Sequence, residues 1–513
     1  MDTTTVRTSS VTGLTTQDAR AHKEIFNAKA MHPAAADVSE SQCMEEFCTT
    51  HGPIIGEVTE TSALVWLRSE ASSEPLRLTW WAASSSEGGA DSGSTRIELL
   101  PDADNTSKTL ITGLRPGTSY ELRVGHRPGH FKTPGASAIS FVFGSCLGGQ
   151  GIGRNDGGHA SGPGFPIFEA MARLQPDFVH INGDSIYADN AIEAVSTQFH
   201  NQGARFITPA GLDVIPAATS LDGFRSRYKY HLEDPAYSAF LASTPVSLTW
   251  DDHEITDDWG AEAMRAKGLG QLLEDGKQAF FEYWPLRGVA GEPQRLYRRV
   301  PWGPHAELLV LDCRQYRSAH DAKKEGVTPQ MRSILGVEQK AWLHESLSAS
   351  RATWKFICTS IPLSYPTGWP RPEETGYDGW ADGNPDGISG PELELMAVVE
   401  QIRDEQITGV LFLSGDVHFP FCLSYDPFRS GRPLFHEIAC TPFQALCLPP
   451  PAGGPRDLSF NPTLLFAAGE FAGTLLNFGH CVIDEAGALT FTIRDVKGTS
   501  IYELALPNPT TGA

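Results

Sequence analysis

Residues 178–189 read Phe-Val-His-Ile-Asn-Gly-Asp-Ser-Ile-Tyr-Ala-Asp, and residues 410–418 read Val-Leu-Phe-Leu-Ser-Gly-Asp-Val-His. Each is an apolar run that stops at Gly-Asp. Four further runs have the same character: SFVFG at 140–144, PVSLTW at 245–250, ELLVLD at 307–312 and WKFICTS at 354–360. Near-continuous Val/Ile/Leu/Phe runs suit strands covered on both faces, and here they alternate with helical patterns, so an α/β layered architecture follows. Several runs end in polar clusters: GSC at 144–146, GDSIYAD at 183–189, WDDHE at 250–254, DCR at 312–314 and SGDVH at 414–418. In α/β sheets ligand sites form beyond the carboxyl ends of strands, so these clusters are where a site is expected.

Upstream the pattern changes. From His51 the runs IIGEVT, ALVWLRS and LRLTWWA are short, alternate in polarity and are separated by Ser/Gly/Asp clusters, as a β-sandwich requires. In GLRPGTSYELRV at 113–124 a Tyr enters a strand just after a Leu-Arg-Pro turn, the arrangement of a tyrosine corner. The expected organisation is a tail or strap at 1–45 with a short helical candidate near 19–30, an all-β fibronectin/immunoglobulin-like domain at 46–135, an α/β catalytic domain at 136–505 and a C-terminal tail at 506–513. The last domain closes with a Pro/Gly loop from Pro449, an apolar stretch around Phe466–Leu476 and a final pair of strand runs, CVID and LTFTIRDV.

With 513 residues, 40% hydrophobic and 20% charged, the chain can bury a large core. Its formal net charge of −22 supplies no cationic surface for counterion release, so nucleic acid is not an expected partner; a small phosphorylated substrate would need a locally positive site, which bound cations can provide. No stretch approaches the ~20 apolar residues of a membrane span, and the N-terminus lacks the apolar core of a signal peptide and a twin arginine, so a cytoplasmic location is expected unless a leader has been removed. The nine cysteines are an odd count without framework spacing and do not predict a disulfide scaffold. Cys43 and Cys48 lack a nearby second Cys/His pair, and His159 in the Gly-rich loop reads as solvated; that loop follows no dinucleotide-type strand–loop–helix unit.

The chemistry lies in the carboxylates. Asp184, Asp189, Asp251, Asp252, Asp257, Asp258 and Asp416 all stand at or just after strand ends, where their mutual repulsion would be severe unless cations are bound. Carboxylate, phenolate and imidazole suit iron, manganese, zinc or calcium, and Cys146 adds a soft ligand that favours iron or zinc. Tyr187, three residues after Asp184, can share its metal. Asp251 and Glu254 are equally readable as ligands or as acceptors for backbone amides.

FGSC at 143–146, GDSIYAD at 183–189, FRSRYKYH at 224–231, TWDDHE at 249–254, DCRQYRS at 312–318, ATWKFICTS at 352–360 and SGDVHF at 414–419 together resemble the PhoD-like alkaline phosphatases and phosphodiesterases, within the wider calcineurin-like metallophosphoesterase superfamily. The resemblance runs from about residue 51 onward. It implies a sandwich of mixed sheets flanked by helices. It also implies a ferric ion held by Cys146, Asp184, Tyr187 and His418, with Asp184 bridging, and calcium held by Asp252 and Asp416; Mn2+, Zn2+ or Mg2+ are the alternatives. His253 stands where the superfamily places a histidine near the leaving group. Asp257, in ITDDW, departs from the Asn common in the family and adds negative charge where a phosphate should sit. The segments 190–223 and 367–387 match weakly, and such loops often decide substrate fit.

The expected activity is hydrolysis of phosphomonoesters or phosphodiesters by a metal-bound hydroxide, with Asp184 bridging the metals, His253 assisting the leaving group, and Arg225, Arg227 or Arg314 clamping phosphate oxygens alongside Asp257. For Arg314 and Arg317 the competing reading is a structural ion pair near Asp312. Two rival functions remain: a metal-dependent biosynthetic step on a phosphorylated metabolite, and a catalytically silent metal-binding scaffold.

Overall fold

A computed structural model describes residues 49–511 apart from 71–75, 137, 155–163, 193–194, 197–205, 208–214, 319–327, 329–330, 366, 368–377, 382–386, 456–458 and 472. The tail, its helical candidate, Cys43, Cys48 and His159 lie outside the described residues. Those that are described belong to one compact unit, Phe47–Ala513.

Two large mixed sheets organise the chain. The first has nine strands in the order Ser500–Leu506, Leu489–Asp495, Asn477–Ile483, Ile139–Gly144, Phe178–Asn182, Val246–Thr249, Thr49–Gly56, Ser62–Ser69 and Thr106–Thr112. The second has seven: Arg298–Trp302, Ala306–Val310, Trp354–Cys358, Val410–Ser414, Phe435–Ala439, Phe421–Tyr425 and Pro462–Ala467. All six runs singled out in the sequence are central strands here, and neighbours among them pair in parallel. The strand Ser500–Leu506 follows the expected final pair and adds an edge. Its Ser-Ile-Tyr-Glu-Leu-Ala-Leu stays largely solvent-accessible, so it lacks the apolar run that marks a covered strand.

Side-chain alternation sets the layers. Phe141, Phe143 and Phe178 of the first sheet meet Leu308, Phe356 and Leu411 of the second in one buried cluster, with Phe141 edge-on to Phe356 at 5.1 Å between centroids. The intervening residues point outward: Val142, Val179 and Leu248 pack under the helices Ile167–Ala172, Leu221–Leu232, Pro235–Ser243 and Gly270–Tyr283. Leu309, Ile357 and Phe412 do the same with the helices Gly336–Ala349 and Gly390–Asp404. Every central strand is therefore covered on both faces, which is why it reads as an unbroken apolar run. No helix among the described residues is long and apolar enough to cross a membrane.

The N-terminal strands divide between two sheets. Thr49–Gly56 pairs in parallel with Val246–Thr249, so three N-terminal strands extend the nine-stranded sheet. The other four form a separate sheet in the order Ser92–Arg96, Arg77–Ala82, Ser119–Val124 and Arg127–Lys132. The tyrosine corner is present: the Arg115 amide donates to the buried Tyr120 hydroxyl at 2.9 Å.

A charged knot joins this region to the helices. Asp104 lies in a left-handed turn and accepts from Arg68 at 3.0 and 3.1 Å and from the Tyr283 hydroxyl at 2.5 Å, with Lys229 3.3 Å away. Burial alone would raise its pKa, but Arg68, Tyr283 and Lys229 hold the carboxyl well below the ordinary carboxylate range. A depressed folded-state value gives stability that is present above the unfolded value of about 4 and lost as pH falls toward the folded one. Asp104→Asn is expected to cost about 1–2 kcal/mol at pH 7 after allowance for solvent screening. Urea unfolding should show the gap to wild type closing as the pH drops below about 4.

Candidate metal centre

The strand ends turn sharply where the two sheets meet. Gly183 follows the strand Phe178–Asn182 with φ 93°, and a Cβ there would lie 2.5 Å from the Asp251 Cβ, so only glycine fits. Cys146, Asp184, Asp416 and His418 themselves have φ between 52° and 69°, a region that side chains other than glycine seldom adopt. Strained backbone of this kind persists where the surrounding structure over-determines it, and such residues gather at functional sites. The effect is to turn four ligand-type side chains inward from three different strands.

They converge. Single ligand atoms of Cys146, Asp184 and His418 lie within 4.8 Å of one another, as do those of Asp184, Asp252 and His253, and those of Asp251, Asp252 and Asp416. The Tyr187 hydroxyl is 3.1 Å from Asp184 Oδ2 and 2.8 Å from His418 Nε2. His418 Nδ1 lies 2.6 Å from the Leu446 carbonyl, which makes it the protonated nitrogen and leaves Nε2 as the free lone pair. Thr441 donates to Cys146 Sγ at 2.9 Å. The six residues expected as metal ligands are thus one cluster, with Asp184 shared between its Cys146/His418 and Asp252/His253 sides.

Without a cation the cluster is electrostatically frustrated. Burial first, and then the charges of Asp252 and Cys146, push the Asp184 carboxyl well above the usual carboxylate range. Burial with Asp251 and Asp252 does the same to Asp416, and burial raises the Cys146 thiol to about 12. Asp252 differs: burial opposes its ionisation, yet His253 and Arg314 hold its carboxyl below the ordinary value. Two buried oxygens, Asp251 Oδ2 and Asp252 Oδ1, have no hydrogen-bond partner among the described residues. Orphaned carboxylate oxygens facing further carboxylates and a thiol are what a bound cation satisfies, so this donor set fits metal.

The other expected residues divide. His253 joins the cluster: its Nδ1 is 2.9 and 3.0 Å from the two Asp189 oxygens, and its Nε2 lies 3.9 Å from both Asp252 and Asp257. Asp257 stands on the rim, 62% exposed in its side chain. Arg225 is not brought to the cluster; its guanidinium forks onto Glu282 at 2.7 and 2.8 Å and reaches the Asp102 carbonyl. Arg227 is buried and bonds the carbonyls of Asn190 and Pro216. Arg314 sits behind the carboxylates, with Nε 2.7 Å from Asp251, the other two nitrogens on Asp378 at 2.9 and 2.5 Å, and Asp252 3.7 Å away.

In this geometry Arg225 and Arg314 spend their forks on carboxylates, while Arg227 engages one nitrogen on two carbonyls and its buried Nε has no partner among the described residues. Arg314 and Arg317 do form a structural ion pair, but with Asp378 rather than Asp312. Asp312 instead accepts from Trp250 Nε1 and from the amides of Arg314 and Gln315. Glu254 accepts from the amides of Asp184, Ser185 and Asp251, so it is a backbone acceptor. Asp251, held by Arg314 and Ser360, keeps one oxygen toward the site. Sequence reasoning missed Asp378, which lies inside a weakly matching loop, and Thr441, which carries no motif.

The PhoD-like phosphatase family matches residues 141–477, and this chain belongs to that family. Alkaline phosphatase D of Bacillus subtilis (strain 168) is 28% identical over 341 residues, covering 62% of this chain; the chain spans about half the length of that curated relative. A solved structure of PhoD superposes with a TM-score of 0.67 at 21% identity, covering 91% of this chain and 92% of that one. The purple acid phosphatase PPD1 from yellow lupin (Lupinus luteus) seeds gives 0.53 at 13% identity, covering 89% and 74%. Both likenesses concern the fold.

Relief of the repulsion by metal makes a stability prediction. Stripping the protein with a chelator should lower its melting temperature, and restoring cation should raise stability by about 2.7 kcal/mol when free metal is 100-fold above its dissociation constant. Calorimetry with and without metal reads this directly; an unchanged melting temperature would count against a metal centre.

Proposed function

We propose that this chain hydrolyses phosphate esters, using metal ions held by Cys146, Asp184, Tyr187, Asp252, Asp416 and His418. The observation that carries the reading is the convergence of these donors from strand ends of both sheets, with buried carboxylate oxygens left unpartnered. Family membership and the phosphatase relatives support it. The thiol, phenol and imidazole around Asp184 suit iron, while the oxygens of Asp252 and Asp416 suit calcium, with Mn2+, Zn2+ or Mg2+ as substitutes. Bound there, the cations would neutralise the carboxylates, polarise a phosphoryl oxygen and acidify water.

The chain's own groups supply the rest. Burial disfavours a charged His253, but Asp189, Asp252 and Asp257 outweigh it and shift the imidazole above its ordinary value, which favours its protonated form. Asp189 fixes Nδ1, which leaves Nε2–H to protonate the leaving oxygen. Arg314 acts through Asp251 and Asp252, holding them in place. Anion attraction falls to the cations and to His253, because Arg225 and Arg314 are engaged on carboxylates. Residues 46–135 read as a β-rich module that packs on this core, supported by the tyrosine corner and the separate four-stranded sheet.

Metal analysis combined with turnover of p-nitrophenyl phosphate and bis-p-nitrophenyl phosphate tests the proposal. Asp184→Asn should reduce both rates by at least 100-fold, and Cys146→Ser should shift or remove the visible absorption of a ferric centre. A wild-type protein without metal and without turnover at any pH would sink the idea. The rim carboxylate gives a finer test: Asp257→Asn should raise kcat/KM for the dianionic monoester more than for the monoanionic diester, by a few-fold at low salt. An unchanged ratio would remove Asp257 from substrate selection.

A further inference from the structure

Accepting the metal-centre reading, the two halves of the ligand set belong to different sheets. Cys146, Asp184 and Asp252 follow strands of the nine-stranded sheet, whereas Asp416 and His418 follow Val410–Ser414 of the seven-stranded one. Apolar packing between sheets is non-directional and leaves sliding poorly determined. A metal cluster needs its ligands fixed to a few tenths of an ångström.

The last residue of the strand before Gly183-Asp184 is Asn182, fully buried. Its amide nitrogen donates to two carbonyls of the opposite sheet, Thr359 at 2.8 Å and Leu413 at 3.0 Å. Its oxygen lies 3.1 Å from His180 Nε2, and His180 Nδ1 lies 3.2 Å from the Ser247 hydroxyl on the neighbouring strand. One tautomer satisfies the chain: Nε2–H donates to Asn182 and Nδ1 accepts from Ser247. Asn182 is two residues from Asp184, and Leu413 is three from Asp416.

The sheets also approach closely here. A Cβ on Gly415 would lie 2.7 Å from Ser145 Oγ, 2.9 Å from the Ser360 carbonyl and 3.0 Å from the Asn182 carbonyl. A second tie, Thr249 Oγ1 to the Leu311 carbonyl at 2.7 Å, closes the next strand end. We propose that Asn182, oriented by His180 and Ser247, is a positioning residue that sets the separation of the Asp184 and Asp416 halves of the metal centre.

A planar amide with two donors on two strands of the other sheet fixes both spacing and register, which a hydroxyl or an aliphatic side chain cannot do. None of the three side chains is a metal ligand in this reading.

The test compares Asn182→Ala, Ser247→Ala and a control, Glu437→Gln, which perturbs a buried pair with Tyr425 in the seven-stranded sheet. The readouts are unfolding midpoint, iron and calcium retained after a fixed EDTA challenge, and the split between kcat and KM. Asn182→Ala should lose metal at least 10-fold faster than the control at equal loss of stability, with kcat falling and KM little changed. Ser247→Ala, which keeps the amide, should show the same pattern more weakly and keeps the test open if Asn182→Ala fails to fold. Metal retention that follows stability alone, equal to the control, would overturn the proposal. A wild type that binds no metal would instead overturn the metal-centre reading on which it rests.

Discussion

Like charges that must share a buried site are the constraint around which this protein is arranged. Asp184, Asp251, Asp252 and Asp416 meet a thiol and a phenol where the carboxyl ends of two sheets come together. Such a cluster is tolerable only protonated or metal-bound, since an isolated buried carboxylate is costly. The sheet order, the left-handed turns at Cys146, Asp184, Asp416 and His418, and buried Arg314 act on that one cluster, placing its members or compensating their charge.

Charge compensation is divided by depth. Arg314 lies behind the carboxylates, anchored on Asp378, and offsets the charge of Asp251 and Asp252 from the protein side. His253, anchored on Asp189, faces the open side. Cations would complete the balance between them. This division explains why an arginine that reads as a phosphate clamp serves a structural role: a guanidinium withdrawn from there would leave buried Asp251 without its charged partner.

The two-sheet construction also explains the site's dependence on backbone shape. Parallel pairing of neighbouring central strands brings the residues that follow them together. Gly183 and Gly415 permit the close approach, and the positive φ at Cys146, Asp184, Asp416 and His418 turns the donors inward. The nine-stranded sheet continues into the N-terminal strands, so the same hydrogen-bonded layer carries both the site and the β-rich region ahead of it.

The sequence by itself determined the covered central strands, because burial on both faces demands unbroken apolar runs, and it determined the ligand types, because Gly-Asp at a strand end has few other uses when repeated. The tyrosine corner was legible for the same local reason. Only the tertiary structure decided the partners of charged side chains: Arg225 went to Glu282, Arg227 to backbone carbonyls, and Arg314 to Asp378, a residue more than sixty positions away inside a loop without a motif. The edge strand Ser500–Leu506 and the pairing of Thr49–Gly56 with Val246–Thr249 were likewise invisible locally, since half-exposed strands have little apolar signature and pairing depends on what lies alongside. Periodicity records which face of an element is buried; it carries no record of which distant charge or strand completes it.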